Sequence, residues 1–265
     1  YRIYNMKNLY FISLLLVTSI CFAAPSNSAK TIETWVYYEL LRIEEKESQK
    51  RYDEVEADFR ELIYESGWSS RSFDHAVILK KYGFFLIQRD RAEEGLEYIE
   101  WALRKRALED RDAHNLEYVV GQINASFGNY EKALKKLLAW YDLGERRNWD
   151  LTPKGIALIG ICYAQLENFE LALEYISIAI EQSNIFIKSW HELKFALHYK
   201  LGEFDNALET SKNLVAFYPR EKKYLEQMGA MYSELDFEIE SLSSLEFGLT
   251  QKVLEKERDY LILSN

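Results

Sequence analysis

The stretch that decides the fold, Ile156 to Pro219, reads IALIGICYAQLENFELALEYISIAIEQSNIFIKSWHELKFALHYKLGEFDNALETSKNLVAFYP. Each half contains an apolar helical segment, a polar corner and a second helical segment that carries small residues. Phe169 is followed three residues later by Ala172, and the same step recurs 35 residues further along the chain as Phe204 and Ala207. A repeat of this length built from two helices predicts helical hairpins that stack on one another.

The same positions can be followed into the neighbouring segments, and they resemble the tetratricopeptide repeat. A small residue on each helix lets two helix axes approach closely, and aromatic residues fill the gap that remains. The resemblance implies an all-α fold: a right-handed superhelical solenoid of about five to six helix-turn-helix hairpins with a C-terminal capping helix over 252–263. The matching positions are Gly121, Gly128, Tyr130 and Ala133, more loosely Gly83, Gly95 and Ala102, and downstream Gly229, Tyr232 and Ser241.

Three regions are predicted along the chain. Residues 1–24 hold upstream residues and a signal peptide, 25–70 form an N-terminal helical hairpin or cap closed by a linker at 66–70, and 71–265 form the solenoid. The longest break in the solenoid is expected at 144–153. Thr152 followed by Pro153 is typical of a helix start, because the hydroxyl accepts a backbone N–H and proline suits the first turn.

The segment after Met6 has the pattern of a secretory signal peptide. A short basic start precedes 14 mostly apolar residues from Leu9 to Phe22, and the alanines that follow suit cleavage. A run of this length is short for a membrane span. The alternatives are a retained membrane anchor and a lipoprotein cleaved before Cys21. The expected location is the periplasm, where Cys162 would be the cysteine left after cleavage, in a buried packing role.

Composition narrows the classes of partner. The 265 residues carry a net charge of −10 and only 3 prolines and 11 glycines, which favours long helices. Binding to nucleic acid requires neutralisation of phosphates by basic residues, so an acidic chain without a long basic run disfavours it. The 19 tyrosines and 6 tryptophans are expected mainly between helical layers.

The sequence contains no motif that indicates catalysis. The histidines at 75, 114, 191 and 198 lack a metal-binding spacing, and no phosphate-binding loop, dinucleotide fingerprint or nucleophile elbow is present. We therefore predict that the protein is not an enzyme, holds no metal or cofactor and acts on no small-molecule substrate. An enzyme with a cryptic site is the least favoured alternative.

In tetratricopeptide repeats the concave wall comes from the first helix of each hairpin, so the resemblance implies where a partner would bind. Chaperone adaptors of this kind hold a terminal carboxylate with Lys and Asn, but the Asn positions here hold Gln122, Ile161, Ala196 and Ala230, which disfavours such a clamp. A wall of Tyr, Lys, Glu and Gln would instead suit an extended peptide. The residues expected in this groove are Tyr118, Gln122, Lys154, Ile161, Gln165, Ser189, Glu192, Tyr199, Lys200, Lys223 and Glu226.

A more specific resemblance covers 157–264. The phrases SWHELKFALHYKLGEFDNALETSKNLVAFYP, KKYLEQMGAMYSEL and SLEFGLTQKVLEKERDYLILS, together with the spacing YP-x-x-x-x-Y, are similar to the periplasmic tetratricopeptide protein associated with TonB systems. This resemblance implies work beside TonB, ExbB and ExbD in the uptake of iron carriers, with peripheral association with that membrane complex. The alternative is a secreted adaptor for cell-envelope assembly or cell-wall enzymes.

Overall fold

The computed structural model describes residues 30–69 and 72–250, which form twelve α-helices and, within those ranges, no β-strand. The prediction of an all-α fold is confirmed. Contacts between Cα atoms divide the chain into unit 1, up to Asn129, and unit 2, from Tyr130 onward. The predicted domain boundaries stay predictions. Each unit is described by itself.

Unit 1 is built around an aromatic cluster. The ring of Phe59 lies 5.3 Å from that of Tyr82 and 5.8 Å from that of Phe85, and Tyr82 meets Tyr98 edge to face at 4.6 Å. Offset and edge-to-face pairs of this kind stabilise a core beyond the burial of their area. The helices of this unit are α1 (Thr34–Ser48), α2 (Tyr52–Ser69), α3 (Ser72–Gln88), α4 (Ala92–Arg104) and α5 (Asp110–Ser126).

Two glycines bring α3 and α4 into direct backbone contact. A methyl group built on Gly83 would lie 2.7 Å from the carbonyl oxygen of Gly95, and one on Gly95 would lie 2.5 Å from the carbonyl oxygen of Gly83. Neither position has room for a side chain. The looser repeat match in this part of the sequence therefore marks a true close approach of two helices.

Unit 2 contains the stretch that decided the fold, and its small residues lie where helices meet. Ala172, Ala179 and Ala207 are fully buried. A methyl group on Gly160 would lie 2.8 Å from Ile176 Cγ1 and 2.9 Å from the carbonyl oxygen of Ala172. The helices of this unit are α6 (Tyr130–Arg147), α7 (Pro153–Gln165), α8 (Phe169–Gln182), α9 (Lys188–Leu201), α10 (Phe204–Phe217), α11 (Lys222–Glu234) and α12 (Glu238–Thr250).

Every hairpin corner has the same backbone geometry. One residue takes a positive φ, and the next N–H donates to the carbonyl five residues back at 2.8 to 3.0 Å, which satisfies a carbonyl at the helix end. The positive-φ residues are Lys50, Asp90 and Gly128 in unit 1 and Glu167, Gly202 and Asp236 in unit 2. Because only two of the six are glycine, the repeat is more regular in the backbone than in the sequence.

Two predicted breaks are wrong in extent. Helix α2 continues through Gly67 and ends at Ser69. Within its last turns Ser66 is buried, and its hydroxyl donates to the carbonyl of Ile63 at 3.2 Å. A glycine inside a helix costs about 1 kcal/mol, which tertiary packing outweighs here. Helix α6 likewise passes Gly144, so the break predicted at 144–153 is confined to 148–152.

The predicted start of α7 is confirmed. The N–H of Gly155 donates to Oγ1 of Thr152 at 3.2 Å, and Pro153 occupies the first turn. The expected signal peptide and the capping helix at 252–263 lie outside the described residues. Among the helices that the structure describes, none is long and apolar enough to cross a membrane.

Candidate functional site

The predicted groove residues lie on first helices of hairpins in both units. In unit 1, Tyr118 and Gln122 are one turn apart on α5, and Nε2 of Gln122 donates to the Tyr118 hydroxyl at 3.0 Å. The other nine lie in unit 2, on α7, α9 and α11, and none of them is buried. Five of the nine are exposed, namely Lys154, Gln165, Ser189, Tyr199 and Lys200. The other four are partly buried, namely Ile161, Glu192, Lys223 and Glu226.

A polar network joins α9 to α11 along this face. The Oε1 atom of Glu192 accepts hydrogen bonds from Lys223 Nζ at 2.9 Å and from the Tyr224 hydroxyl at 2.7 Å. Tyr224 is fully buried, so its hydroxyl needs a partner inside the protein. Glu192 therefore connects neighbouring hairpins as well as forming part of the wall.

The environment of Glu192 favours its ionised form. Burial is the largest influence and acts to raise its pKa, but the hydrogen bonds from Lys223 and Tyr224 and the nearby positive charges outweigh it. The net result is a pKa below the ordinary value for a glutamate. Tyr224 shifts the other way, because burial and the hydrogen bond to Glu192 raise its pKa.

The two tyrosines of the YP-x-x-x-x-Y spacing lie on either side of a lysine. The rings of Tyr218 and Tyr224 are 6.0 Å apart, and Nζ of Lys188 lies 4.8 Å from the first ring centre and 5.3 Å from the second. The same ammonium donates to Oε1 of Glu221 at 2.6 Å. Hydrogen bonds to Glu221 and Tyr224 raise the pKa of Lys188. The predicted groove did not include Lys188, Tyr218 or Tyr224, although the YP-x-x-x-x-Y spacing that contains both tyrosines is visible in the sequence.

The charged residues of this face fall into two groups: those that form an ion pair within the protein and those that do not. Glu192 and Lys223 bind each other, and Glu226 pairs with Lys222 at 3.3 Å. Within the ranges that the structure describes, Lys154 and Lys200 form no ion pair. Their ammonium groups are therefore available to a partner.

Glu192→Gln is expected to lower the free energy of unfolding by about 1 kcal/mol at pH 7, because hydrogen bonds to a charged acceptor are lost. A carboxylate with a lowered pKa stabilises the fold above its unfolded pKa and loses that effect as pH falls through its folded pKa. The difference between variant and wild type should therefore shrink towards pH 3, as measured by urea unfolding. The matched control is Glu209→Gln, an exposed glutamate on α10. A pH-independent deficit would contradict this account.

Several solved structures share this architecture. YrrB, a protein described with an unusual peptide-binding site, is 17% identical, with a TM-score of 0.56 over 78% of this chain and 97% of its own. A tetratricopeptide repeat protein from Parabacteroides merdae is 14% identical, with a TM-score of 0.52 over 86% of this chain and 84% of its own. MamA from Desulfovibrio magneticus RS-1 is 20% identical, with a TM-score of 0.51 over 69% of this chain and 95% of its own.

This chain has the tetratricopeptide-repeat fold. At these identities the likeness concerns the fold alone. No protein-family model matches the sequence, and no curated protein does.

A carboxylate clamp of the kind found in some tetratricopeptide proteins would need Asn at certain groove positions. In unit 2 these positions hold small or apolar residues. They are Ile161 on α7, which is partly buried, and Ala196 on α9 and Ala230 on α11, which are exposed. None of these side chains can donate to a carboxylate. Two exposed alanines leave space for a partner backbone to approach the helices.

Tyr199 is the exposed aromatic residue of this wall. Its side chain is 43% exposed, and its ring lies 6.5 Å from Phe195 and 5.9 Å from Phe204. These contacts restrict the ring, although the side chain is exposed. A restrained tyrosine supplies large contact area at little entropic cost, which suits binding.

The described part of the chain offers no arrangement for metal or thiol chemistry. It contains no group of three His, Cys, Asp or Glu side chains placed to hold a metal ion. Cys162 is fully buried, as predicted, and burial raises its pKa to about 12, so the nucleophilic thiolate is disfavoured. His198 is buried and lies 2.7 Å from Oε2 of Glu203, where it supports the α9–α10 corner.

Proposed function

We propose that this protein is a non-catalytic scaffold that binds a segment of a partner protein along the α7–α9–α11 face of unit 2. One observation carries the proposal: this face presents a half-exposed Tyr199 beside exposed alanines and two lysines without an ion pair. YrrB, which shares the fold, has a peptide-binding site. That site supports the idea that such a fold can bind peptides.

The side chains of this face indicate what the partner segment would contain. Ala196 and Ala230 are small enough for an extended backbone to approach, and Tyr199 offers a ring for an apolar or aromatic side chain. Lys154 and Lys200 would pair with acidic groups of the segment. The proposed ligand is an extended segment that carries both apolar and acidic side chains.

We further propose a cellular location for this scaffold and the identity of its partner proteins. The signal-like segment at 9–22 supports export to the periplasm, and the phrases that resemble TonB-associated tetratricopeptide proteins support an accessory role beside TonB, ExbB and ExbD. In that role the protein would associate peripherally with the membrane complex. The competing role is that of an adaptor for envelope assembly or cell-wall enzymes.

The decisive experiment is in-cell photocrosslinking from position 199, with the adduct identified by mass. The control probe is placed at the exposed Glu209 on α10, a second helix of a hairpin. An adduct with TonB, ExbB or ExbD from 199 alone would support both levels of the proposal. A different envelope protein would support the scaffold and reject the TonB role. Equal adducts from both positions would reject the binding face.

Tyr199→Ala is expected to weaken binding of the crosslinked partner about tenfold or more, because a restrained aromatic contact is lost. Thermal unfolding should change little, since the side chain is largely exposed. Isothermal titration with a peptide from the captured partner measures the first effect, and circular dichroism the second. If the variant unfolds instead, Tyr199 belongs to the core and its assignment to the binding face is wrong.

A further inference from the structure

Three tyrosines from three different helices meet in unit 2. The ring of Tyr175 on α8 lies 5.7 Å from that of Tyr163 on α7 and is within 22° of parallel to it. The ring of Tyr141 on α6 lies 5.5 Å from that of Tyr175 and is nearly perpendicular to it. All three side chains are partly exposed, and within the part of the chain that the structure describes none of their hydroxyls forms a hydrogen bond. The cluster therefore reaches the surface with these hydroxyls available to a partner.

Carboxylates surround this cluster. Asp142 and Glu145 on α6 and Glu174 on α8 are exposed, and within the described ranges none of them forms an ion pair. Helix α8 carries three glutamates and no basic residue. The nearby guanidinium of Arg146 donates to the backbone carbonyl of Asp142 at 3.2 Å and not to its carboxylate. The edge of the cluster is therefore acidic, and its charges are not neutralised by the protein.

The electrostatics of the tyrosines agree with this arrangement. Burial is the largest influence and, together with the neighbouring carboxylates, raises the pKa of all three phenols, that of Tyr175 to about 12. The charged residues that act on the phenols, Asp142, Glu145 and Glu174, are all negative. The rings are therefore neutral at physiological pH and lie in a negative potential, which attracts cations.

The cluster lies on the other side of α7 from the proposed binding face. Successive residues of an α-helix are rotated by about 100°, so Tyr163 is about 180° from Lys154 and about 160° from Ile161 and Gln165. This surface is thus separate from the proposed α7–α9–α11 face, and an inference about it does not rest on the proposed function.

We propose that this tyrosine–carboxylate patch binds arginine side chains of a basic segment of a partner protein. A guanidinium group is planar, stacks on aromatic rings and donates to carboxylates through a fixed fork of N–H groups, whereas the ammonium of lysine is a strongly hydrated point charge. The carboxylates lie on two helices, so a segment with two arginines would contact more of them than a free cation could. The patch consists of Tyr141, Asp142, Glu145, Tyr163, Glu174 and Tyr175.

The test is isothermal titration of the full chain, at about 50 mM salt, with an acetylated and amidated peptide Gly-Arg-Gly-Arg-Gly. Exposed ion pairs are individually weak, so the expected dissociation constant is on the order of 100 µM. The same peptide with lysine in place of arginine should bind at least about threefold more weakly, and N-acetylarginine amide at least about tenfold more weakly. Equal affinity for the arginine and lysine peptides, or for the arginine peptide and the free amide, would overturn the proposal.

Variants distinguish this patch from general attraction to an acidic protein. The double variant Asp142→Asn, Glu174→Gln should weaken binding of the arginine peptide at least about fivefold, and Tyr175→Leu at least about twofold. Both carboxylates are exposed, so the double variant should keep its fold, which circular dichroism checks. The matched control is Glu234→Gln, an exposed glutamate on α11 outside the patch. If the control weakens binding as much as the double variant, the patch is not the binding site.

Discussion

Ala207→Trp is expected to lower the free energy of unfolding by about 3 kcal/mol or more. Ala207 is fully buried on α10, in the same hydrophobic cluster as Phe195 of α9 and Tyr224 of α11. An indole at this position would force the helices apart and push neighbours from their preferred rotamers. The midpoint of urea unfolding, followed by circular dichroism, measures the loss.

The control for this variant is Glu209→Trp on the same helix. Glu209 is exposed, so the same large side chain should change stability by less than about 0.5 kcal/mol there. Equal unfolding midpoints for Ala207→Trp and wild type would show that this small-residue position of the repeat does not mark a helix crossing.

Gly95→Ala is expected to cost about 2 kcal/mol, although alanine is the better helix former. The added methyl group would lie 2.5 Å from the carbonyl oxygen of Gly83, so two backbones would have to separate. Overpacking of this kind costs about 1–3 kcal/mol, or more where backbone atoms must yield, and the gain of about 1 kcal/mol in helix propensity offsets only part of it. The fall in unfolding midpoint is again the readout.

Glu97→Ala tests whether this loss comes from the close approach. Glu97 is an exposed residue of the same helix, so its replacement should leave stability nearly unchanged. If Gly95→Ala raised stability, as alanine does in an open helix, then α3 and α4 would not be in backbone contact.

The strength of the sequence prediction differed between the two units for a physical reason. In unit 2, alanines at 172 and 207 follow aromatic residues at a constant step, and they are buried where helices cross. In unit 1, the close approach depends on glycines instead, in positions that fit the repeat only loosely. Equivalent positions of the repeats share a small side-chain volume more often than they share the same residue type. The amino-acid pattern alone therefore underestimates how regular the structural repeat is.

The errors at helix ends have a common cause. Gly67 and Gly144 were interpreted as breaks, yet α2 and α6 pass through them. Helix α6 ends instead where Asn148 takes a φ of 52° and the N–H of Trp149 donates to the carbonyl of Gly144 at 2.9 Å. Asparagine tolerates the left-handed region better than most residues. Packing therefore decides whether a glycine ends a helix, and a single sequence does not contain that information.

The groove assignment stays a prediction, and the pairing of its residues was not predicted from the sequence. The nine groove residues predicted in unit 2 are all accessible, because helical register fixes which side a residue faces. The helical register does not show which side chains form hydrogen bonds or ion pairs with residues that are close in space but distant in sequence. The pairing of Glu192 with Lys223 and Tyr224, across more than 30 positions, became visible only in the structure.

The hairpin corners have a consequence for how this chain could evolve or be engineered. Lys50, Asp90, Glu167 and Asp236 each hold a side chain in a backbone conformation that glycine adopts more readily. At Lys50 and Glu167, replacement by glycine would relieve roughly 0.5–1 kcal/mol each, after the greater freedom of glycine in the unfolded chain is counted. The gain should be smaller at Asp90 and Asp236, because aspartate tolerates the left-handed region better than most residues. The gains at Lys50 and Glu167 should largely add, to roughly 1–2 kcal/mol. The protein thus lies below the maximum thermal tolerance of its architecture, and its corners can change without altering either helical face.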